Sequence, residues 1–183
     1  MTNLSYPLIR NEIRQHVNNN AYGYVRNGGT RPHQGWDLLA ASGTPVFAIA
    51  DGTIENVGNF GQLGITVILR FQTNGLTLYA AYAHLSLAYV RKRQDVAQGQ
   101  MLGRTGTSGN ARGMDELHQH LHFEIRTMSD VPSLGLGGRM DPAKLYVNTP
   151  LNGPIYDPAG KELSTPSTVT ERDKTAGARR GAK

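Results

Sequence analysis

The sequence predicts a mainly β protein with an antiparallel sheet or sandwich core, long loops that wall a groove, and few short helices. Glycine is abundant, with 22 residues among 183, and short segments of alternating polar and apolar residues follow one another with turn residues between them. Long helical segments between successive strands, which would indicate βαβ units, are not found. Many short strands at close spacing are typical of an all-β sandwich or barrel-like sheet.

The first residues leave two structures open. Apolar side chains within residues 5–17 have a spacing that fits a short helix, whereas Pro7 and the asparagines at 18–20 fit an irregular arm equally well. Asn27-Gly28-Gly29 predicts a turn. Further along, the pattern predicts strands over residues 44–50, 53–57, 65–71, 76–84 and 101–105.

The segments between these strands are predicted to be turns and loops. Thr73-Asn74-Gly75 contains the Asn-Gly pair that favours a hairpin turn. Residues 85–93 are interpreted as a helical turn or a loop, and residues 95–100 as a second tight turn. A long glycine-containing loop covers residues 106–117, and a short helix begins near residue 141.

An unusual strand is predicted over residues 118–126, HQHLHFEIR. Alternation places Leu121, Phe123 and Ile125 on one face, towards a core. The opposite face carries His120, His122 and Glu124. Two imidazoles one residue apart on a strand can converge on one small object, and neutral imidazole is the commonest metal ligand.

The chain is interpreted as three parts: an N-terminal arm (residues 1–25), a central domain (26–150) and a C-terminal tail (151–183), of which the tail is set apart by its composition and charge. The tail is basic and rich in Pro, Gly, Ser and Thr, and we expect disorder from about residue 160. Residues 161–183 carry six Lys/Arg and three Asp/Glu, so most of the formal net charge of +5 resides there. Without aromatic or helical reading elements, this charge does not predict nucleic-acid binding.

Residue usage excludes several classes of protein. The chain has no cysteine, which rules out disulfides, thiolate metal ligands and a thiol nucleophile. No run of about 18 apolar residues occurs, so no membrane span is predicted. The first 17 residues lack the apolar stretch of a signal peptide. We therefore expect that the chain is not exported by the general secretory route.

A second group of candidate ligands lies upstream, in His33-Gln34-Gly35-Trp36-Asp37. Fully extended, four residues span roughly 13 Å, whereas two ligands of one zinc ion each lie only about 2 Å from it. The chain must therefore bend between His33 and Asp37, and Gly35 permits a bend. Together with one histidine of the later pair they form a two-histidine, one-carboxylate set. Three protein ligands leave a fourth position for water, as in catalytic zinc sites, where the pKa of the water falls to about 7.

The residues around these ligands form an ordered series of short motifs: HQGWDL, GTPV, ADG, YAHLS, GQ, LG, TSGNA, HLHFEI and DP. In this order they closely resemble the lysostaphin-type (LytM-like) zinc endopeptidases, which hydrolyse peptides of bacterial peptidoglycan. The resemblance runs from about Arg26 to Tyr146, which covers most of the predicted central domain.

The resemblance implies one Zn²⁺ ion held by His33, Asp37 and His122, with His84 and His120 as the catalytic pair. The strand alternation alone places His120 and His122 on one face without deciding which of them binds zinc. Glu124, on the same face, either orients a ligand or faces solvent.

Some features depart from the family pattern or stay open. The loop at 112–119 is longer than in many relatives, so the shape of one groove wall is open, and His118 within it has the parity to join the cluster. Tyr24 and Arg26 either contact substrate or serve as packing or surface residues.

The alternative function is that of a non-catalytic relative that binds the cell wall or activates another hydrolase. Such a protein would be expected to lack some of the zinc ligands or the catalytic pair, and here every position is filled. A lipoyl- or biotin-carrier domain is a second alternative. It would need a modifiable lysine at a hairpin tip, and none of the five lysines has such a position.

The biological setting is predicted from the apparent lack of a signal. A wall hydrolase that acts in the periplasm or cell wall without one would need another delivery route, as an antibacterial effector of a contractile secretion system or a phage lysis enzyme. An effector implies an immunity protein as a partner in the producer. The peptide cross-links of peptidoglycan are the expected substrate, and the protein is expected to be a monomer.

Overall fold

The computed structural model describes residues 4–15 and 17–157, and this part of the chain is built almost wholly from β-strands. The strands are β1 (Arg10–Asn11), β2 (Gly23–Arg26), β3 (Arg31–His33), β4 (Trp36–Leu39), β5 (Pro45–Phe47), β6 (Gly52–Asn59), β7 (Ile65–Thr73), β8 (Leu76–Ala88), β9 (Asp95–Val96), β10 (Met101–Thr105), β11 (His120–Arg126), β12 (Arg139–Met140) and β13 (Ile155–Tyr156). The helix α1 covers Val17–Asn20, and short 3-10 turns occur at Gly61–Leu63, Gly109–Ala111, Pro142–Leu145 and Pro150–Asn152. The predicted all-β class is confirmed.

Nine of the described strands form one antiparallel sheet, and β11 lies inside it. The main path is β12-β11-β8-β7-β6-β9, while β10 pairs with both β5 and β8. One edge of β11 pairs with β8. The other edge pairs first with β4, over His120–Phe123, and then with β12, over Ile125–Arg126. Because both edges of β11 are paired, its backbone is fixed by neighbouring strands on both sides.

The predicted hairpin between β7 and β8 is confirmed. Asn74 and Gly75 both have positive φ, +50° and +76°, as a two-residue turn of type I′ requires. The strand β8 continues beyond the predicted end to Ala88, where it pairs with Gly103 of β10. The interpretation of 85–93 as a helical turn or loop is therefore wrong for its first four residues, because pairing with β10 extends them.

One strand prediction is corrected, and one open alternative in the N-terminal segment is decided. Of the strand predicted over 44–50, only Pro45–Phe47 is strand, because the next residues bond to loops, as in the contact of Ala48 N with Gln100 O at 2.9 Å. Of the two structures left open for residues 5–17, the irregular one is found over residues 5–15, which form bends and the short strand β1 rather than a helix. Their backbone groups pair with the body of the protein instead of with each other, as in Arg14 N to Asp37 O at 3.0 Å.

The apolar face of β11 packs in the core as the alternation predicted. Leu121, Phe123 and Ile125 have no exposed surface, and Trp36 and Tyr82 are equally buried. The ring centroids of Tyr82 and Phe123 lie 5.4 Å apart. Burial of one such aromatic side chain contributes about 1.5–3 kcal/mol, so this layer fixes the position of the opposite, histidine-bearing face.

Both ends of the described chain pack against the sheet. Leu8 and Ile13 belong to the core, with 1% and 4% of their surface exposed, and β1 pairs with β13. The division into arm, domain and tail stays a prediction, and the tail beyond Asp157 lies outside the described residues. Among the described helices, none combines the length and the apolar character that crossing a bilayer requires.

Candidate metal centre and groove

The pairing of β4 with β11 brings the two groups of candidate ligands together. In this antiparallel register Asp37 lies opposite His122, and Trp36 lies opposite Phe123. His33 ends β3, directly before the Gln34-Gly35 connection to β4. The predicted meeting of two distant segments is therefore present, and it depends on sheet pairing over 85 residues of sequence separation.

Gly35 is needed for a reason different from the predicted one. Its φ is not in the left-handed region that only glycine adopts easily. A Cβ atom at this position would instead lie 2.1 Å from the carbonyl oxygen of Phe123. Glycine thus lets the connection pass directly against the backbone of β11, and this close approach brings His33 beside His122.

The three predicted ligands present one atom each to a common point. His33 Nε2 lies 3.0 Å from Asp37 Oδ1 and 3.2 Å from His122 Nδ1, and His122 Nδ1 lies 2.8 Å from Asp37 Oδ1. Ligand atoms about 2.0–2.1 Å from one tetrahedral zinc ion are about 3.3 Å apart. All three residues are buried. Two imidazole nitrogens and one carboxylate oxygen at these distances fit Zn²⁺, and His33, Asp37 and His122 form the zinc site.

Hydrogen bonds on the outer nitrogens orient both ligand imidazoles. His33 donates from Nδ1 to the carbonyl oxygen of Ala21 at 2.8 Å, which leaves Nε2 for the metal. His122 donates from Nε2 to Oε1 of Glu124 at 3.0 Å, which leaves Nδ1 for the metal. Of the two readings open for Glu124, the solvent-facing one is wrong, since only 1% of the residue is exposed. Such partners fix the tautomer of a metal-binding histidine.

Glu124 is itself held by two arginines that the sequence reading missed. Its Oε2 accepts hydrogen bonds from Nε of Arg126 at 2.7 Å and Nε of Arg139 at 2.9 Å. Burial acts to raise the pKa of Glu124, but the bond to His122 and the nearby positive charges lower it to about 2. Arg126 could have been found from the sequence, because it shares the strand face of His120, His122 and Glu124.

Burial and the contact between Asp37 and His122 shift the pKa values of both groups. Burial acts to raise the pKa of Asp37, but its close contacts with the imidazoles of His122 and His33 hold it well below its usual value. Burial likewise acts to lower the pKa of His122, while the Asp37 and Glu124 carboxylates raise it to about 9. In the metal-free protein His122 is therefore protonated at neutral pH, and zinc must displace that proton.

The predicted catalytic pair lies beside the zinc site. The rings of His84 and His120 are 5.1 Å apart, edge to face, and His84 lies 5.9 Å from the ring of His122. His120 Nε2 is 3.6 Å from Asp37 Oδ1. His84 has a positive φ of 58°, a conformation that is uncommon outside glycine and accumulates at functional sites.

Both of these histidines are neutral with a defined tautomer. His84 Nδ1 donates to the carbonyl oxygen of Ser108 at 2.9 Å, and His120 Nδ1 donates to that of His118 at 2.8 Å. The Nε2 atom of each ring is consequently a free acceptor. Burial, followed by the charges of His122 and His120, lowers the pKa of His84 to about 3. Burial also lowers the pKa of His120.

His118 does not join this cluster. Its side chain is exposed and its Nδ1 contacts Oδ1 of Asp115. Its backbone carbonyl is the acceptor for His120, and the residue lines the groove wall. The strand begins at His120 rather than at residue 118, so the alternation used for prediction does not extend to His118.

A groove with a volume of about 940 Å³ lies over the five residues. Its walls are formed by residues from 14–15, 19–34, 55–68, 110–120 and 129–139. Arg31 and Lys92 line it as exposed cations. The predicted groove is thus present, with the zinc site and both free imidazole nitrogens at its floor.

Comparison with known proteins gives the same result as the geometry. The profile of Peptidase family M23 matches residues 31–134. The chain is 35% identical over 94 residues to the peptidoglycan DD-endopeptidase ShyA of Vibrio cholerae, which covers 51% of this chain and 20% of that protein. It is 33% identical over 146 residues to the DD-carboxypeptidase/endopeptidase Mpg of Neisseria meningitidis, covering 80% of this chain and 26% of that one.

A solved structure is similar over nearly its whole length. The catalytic domain of the antimicrobial peptidase lysostaphin from Staphylococcus simulans superposes with a TM-score of 0.52 at 31% identity, covering 72% of this chain and 95% of that chain. The chain spans only a fifth to about a quarter of the two curated relatives above. Fold, zinc ligands and sequence profile agree, and the chain belongs to peptidase family M23.

Proposed function

We propose that the protein is a zinc-dependent endopeptidase that hydrolyses peptide cross-links of bacterial peptidoglycan. The observation that carries this proposal is the convergence, at the floor of one groove, of the ligand atoms of His33, Asp37 and His122 with the unprotonated Nε2 atoms of His84 and His120. A structural zinc site would need no free bases beside it, whereas hydrolysis needs them.

Zinc and the two histidines have separate roles in the proposed reaction. Bound zinc would polarise the scissile carbonyl and activate water. Proton transfer falls to His84 and His120, because both are neutral with Nε2 as an acceptor. Once protonated, either imidazolium can stabilise the developing oxyanion or donate the proton that the leaving amine requires. The backbone acceptors Ser108 and His118 keep the two rings in the required tautomer.

The positive charges on the groove walls favour a peptide with free carboxylates as the substrate. Arg31 and Lys92 are exposed on its walls, and none of the described carboxylates lies within salt-bridge distance of either cation. A D-Ala–diaminopimelate cross-link carries such carboxylates, whereas a glycine bridge does not. Two of the relatives bear the names DD-endopeptidase and DD-carboxypeptidase/endopeptidase. We therefore favour the DD cross-link, a bond between two D-configured centres.

Digestion of two purified walls tests the proposal. Zinc-loaded protein is incubated with a wall that has direct diaminopimelate cross-links and with one that has glycine bridges, and the fragments are analysed by mass spectrometry. Cross-linked dimers of the first wall should convert to monomeric stem peptides, and His122→Ala protein should release nothing. Release from the glycine-bridged wall alone would reassign the bond. No release from either wall would favour the alternative of a non-catalytic wall-binding or hydrolase-activating relative.

The proposed delivery route, inhibitor and oligomeric state are supported by the sequence alone. Action in the periplasm or cell wall follows from the proposed substrate. Delivery as a contractile-system effector or as a phage lysis enzyme, inhibition by an immunity protein, and a monomeric state stay predictions. Expression in a host cytoplasm and, with an added signal, in its periplasm separates these ideas: an effector that acts on the wall should lyse cells only in the second case.

A further inference from the structure

The two oxygens of the Asp37 carboxylate have different partners. Oδ1 faces the two ligand histidines, at 3.0 Å from His33 Nε2 and 2.8 Å from His122 Nδ1. Oδ2 instead accepts a hydrogen bond from Nη2 of Arg26 at 2.7 Å. The terminal nitrogen of Arg14 lies 4.0 Å from the same oxygen. Only Oδ1 is thus presented to the metal.

Arg26 is held in place independently of Asp37. Its Nε donates to the carbonyl oxygen of Asn19 at 2.9 Å. Its strand, β2, pairs with β3, so that Arg26 lies opposite Arg31, two residues before the ligand His33. The Arg26 side chain is 23% exposed. The guanidinium therefore has a fixed position behind Asp37, set by the same hairpin that carries His33.

We propose that Arg26 is a positioning residue that keeps Asp37 a one-oxygen ligand, an inference that rests on the proposed zinc-dependent function. A carboxylate with both oxygens free can bind one ion through either or both. A short charge-assisted bond to a guanidinium occupies one oxygen and fixes the plane of the carboxylate. With Oδ2 engaged, Asp37 adds a single bond to the metal, and coordination stays low enough to leave room for substrate.

The other role open to Arg26 is direct contact with substrate, since it lines the groove. The contacts favour positioning, because Nη2 is directed to Asp37 and Nε to Asn19. Arg14 supports the same arrangement from the N-terminal segment, where its Nη1 donates to His118 O at 2.8 Å and its Nη2 to Asn20 Oδ1 at 3.1 Å. These two arginines lie before the residues that the family profile matches, 31–134.

Cobalt substitution tests the proposal without relying on activity. Co²⁺ absorbs visible light strongly in four-coordinate sites and weakly in six-coordinate ones. The parent protein, Arg26→Gln, Arg26→Lys and the matched control Arg31→Gln are loaded with Co²⁺ and their spectra recorded. Zinc affinity is measured by competition with a chelator, and KM and kcat are measured on wall fragments.

We expect the visible absorption of the Co²⁺-loaded Arg26→Gln variant to weaken, because the second oxygen of Asp37 raises the coordination number from four to five, and we expect zinc to bind roughly 10-fold more weakly. Arg26→Lys, which keeps the charge, should lie between it and the parent, and it carries the test if the glutamine variant does not fold. Arg31→Gln should keep the parental spectrum and zinc affinity. A parental spectrum in Arg26→Gln, with only KM raised, would overturn the proposal and assign Arg26 to substrate binding. A parent protein that binds neither metal would instead overturn the proposed function.

Discussion

Nε2 of His122 lies 3.0 Å from Oε1 of Glu124, and the opposite ring nitrogen, Nδ1, lies 2.8 Å from Asp37. Because a metal-binding imidazole is neutral, its single proton must reside on Nε2, where Glu124 accepts it. The second oxygen of Glu124 is bound by Arg126 and Arg139. The tautomer of a zinc ligand is thus tied to a buried ion cluster behind it.

Replacement of Glu124 by glutamine should therefore weaken both fold and metal binding. The amide cannot neutralise two buried guanidinium groups, and loss of one partner of a buried ion pair costs about 3–5 kcal/mol. Zinc affinity should fall roughly 10–100-fold. Urea unfolding and chelator competition measure the two effects. Glu55→Gln, which removes only a partly exposed contact at 3.6 Å from Arg70, should change neither, and equal effects in both variants would contradict the role of Glu124.

Zinc affinity should rise with pH. The pKa of His122 in the metal-free fold is about 9, above the usual 6.5, so zinc displaces a proton at any pH below about 9. Apparent affinity should increase by up to about 10-fold per pH unit between about 7 and 9 and then level off. The same proton stabilises the metal-free fold fully below about pH 6.5, and this contribution is lost as pH rises through about 9. Chelator competition across this range measures the slope, and an affinity independent of pH would refute the assignment.

Removal of either candidate base should stop turnover without releasing the metal. His84→Ala and His120→Ala each delete an acceptor Nε2 but none of the three zinc ligands, so kcat should fall by about 10²–10⁴ while zinc content stays near one ion per chain. His122→Ala should lose both. The exposed His118→Ala, which keeps the backbone carbonyl that orients His120, serves as the control and should retain activity. Full activity in the His84 or His120 variant would remove that residue from the mechanism.

Much of the site was predictable because its information is local. Alternation along β11 placed His120, His122 and Glu124 on one face, and the Asn74-Gly75 turn placed the β7–β8 hairpin. The resemblance to zinc endopeptidases then distinguished the metal ligand His122 from the second histidine. The strand face and the hairpin each needed only a short run of residues, whereas the resemblance drew on nine motifs between about Arg26 and Tyr146.

The rest depended on contacts between distant segments. Glu124 could not be distinguished from a surface carboxylate, because its burial requires Arg139, a residue on another strand, 15 positions away. The extension of β8 to Ala88 requires pairing with β10. The non-helical course of residues 5–15 likewise depends on their backbone hydrogen bonds to β4 and β5. These bonds are not visible in the sequence, where the spacing of the apolar residues left a helix open.

Gly35→Ala should disrupt the metal site by steric overlap. The added Cβ would lie 2.1 Å from the carbonyl oxygen of Phe123, and relief requires that the connection between β3 and β4 moves away from β11. We expect a loss of about 3 kcal/mol in the free energy of unfolding and a marked fall in zinc affinity. Gly58→Ala is the matched control, since its Cβ would meet only the edge of Phe60 at 3.8 Å. Unfolding midpoints and zinc titrations that do not distinguish the two variants would contradict the close-approach argument.

Adjacent residues in the N-terminal segment offer a test of whether that segment is part of the folded unit. Leu8 is 1% exposed and lies in the core, whereas Ile9 is 41% exposed. Leu8→Ala should cost about 2–5 kcal/mol of unfolding free energy, and Ile9→Ala no more than about 0.5 kcal/mol. Urea denaturation of the two variants measures the difference. A segment that detaches from the body would make both substitutions equally mild, and the predicted boundary after residue 25 would then mark a true arm. A large difference would instead mean that residues before the family match form part of the fold that holds Arg14 and Arg26 beside Asp37.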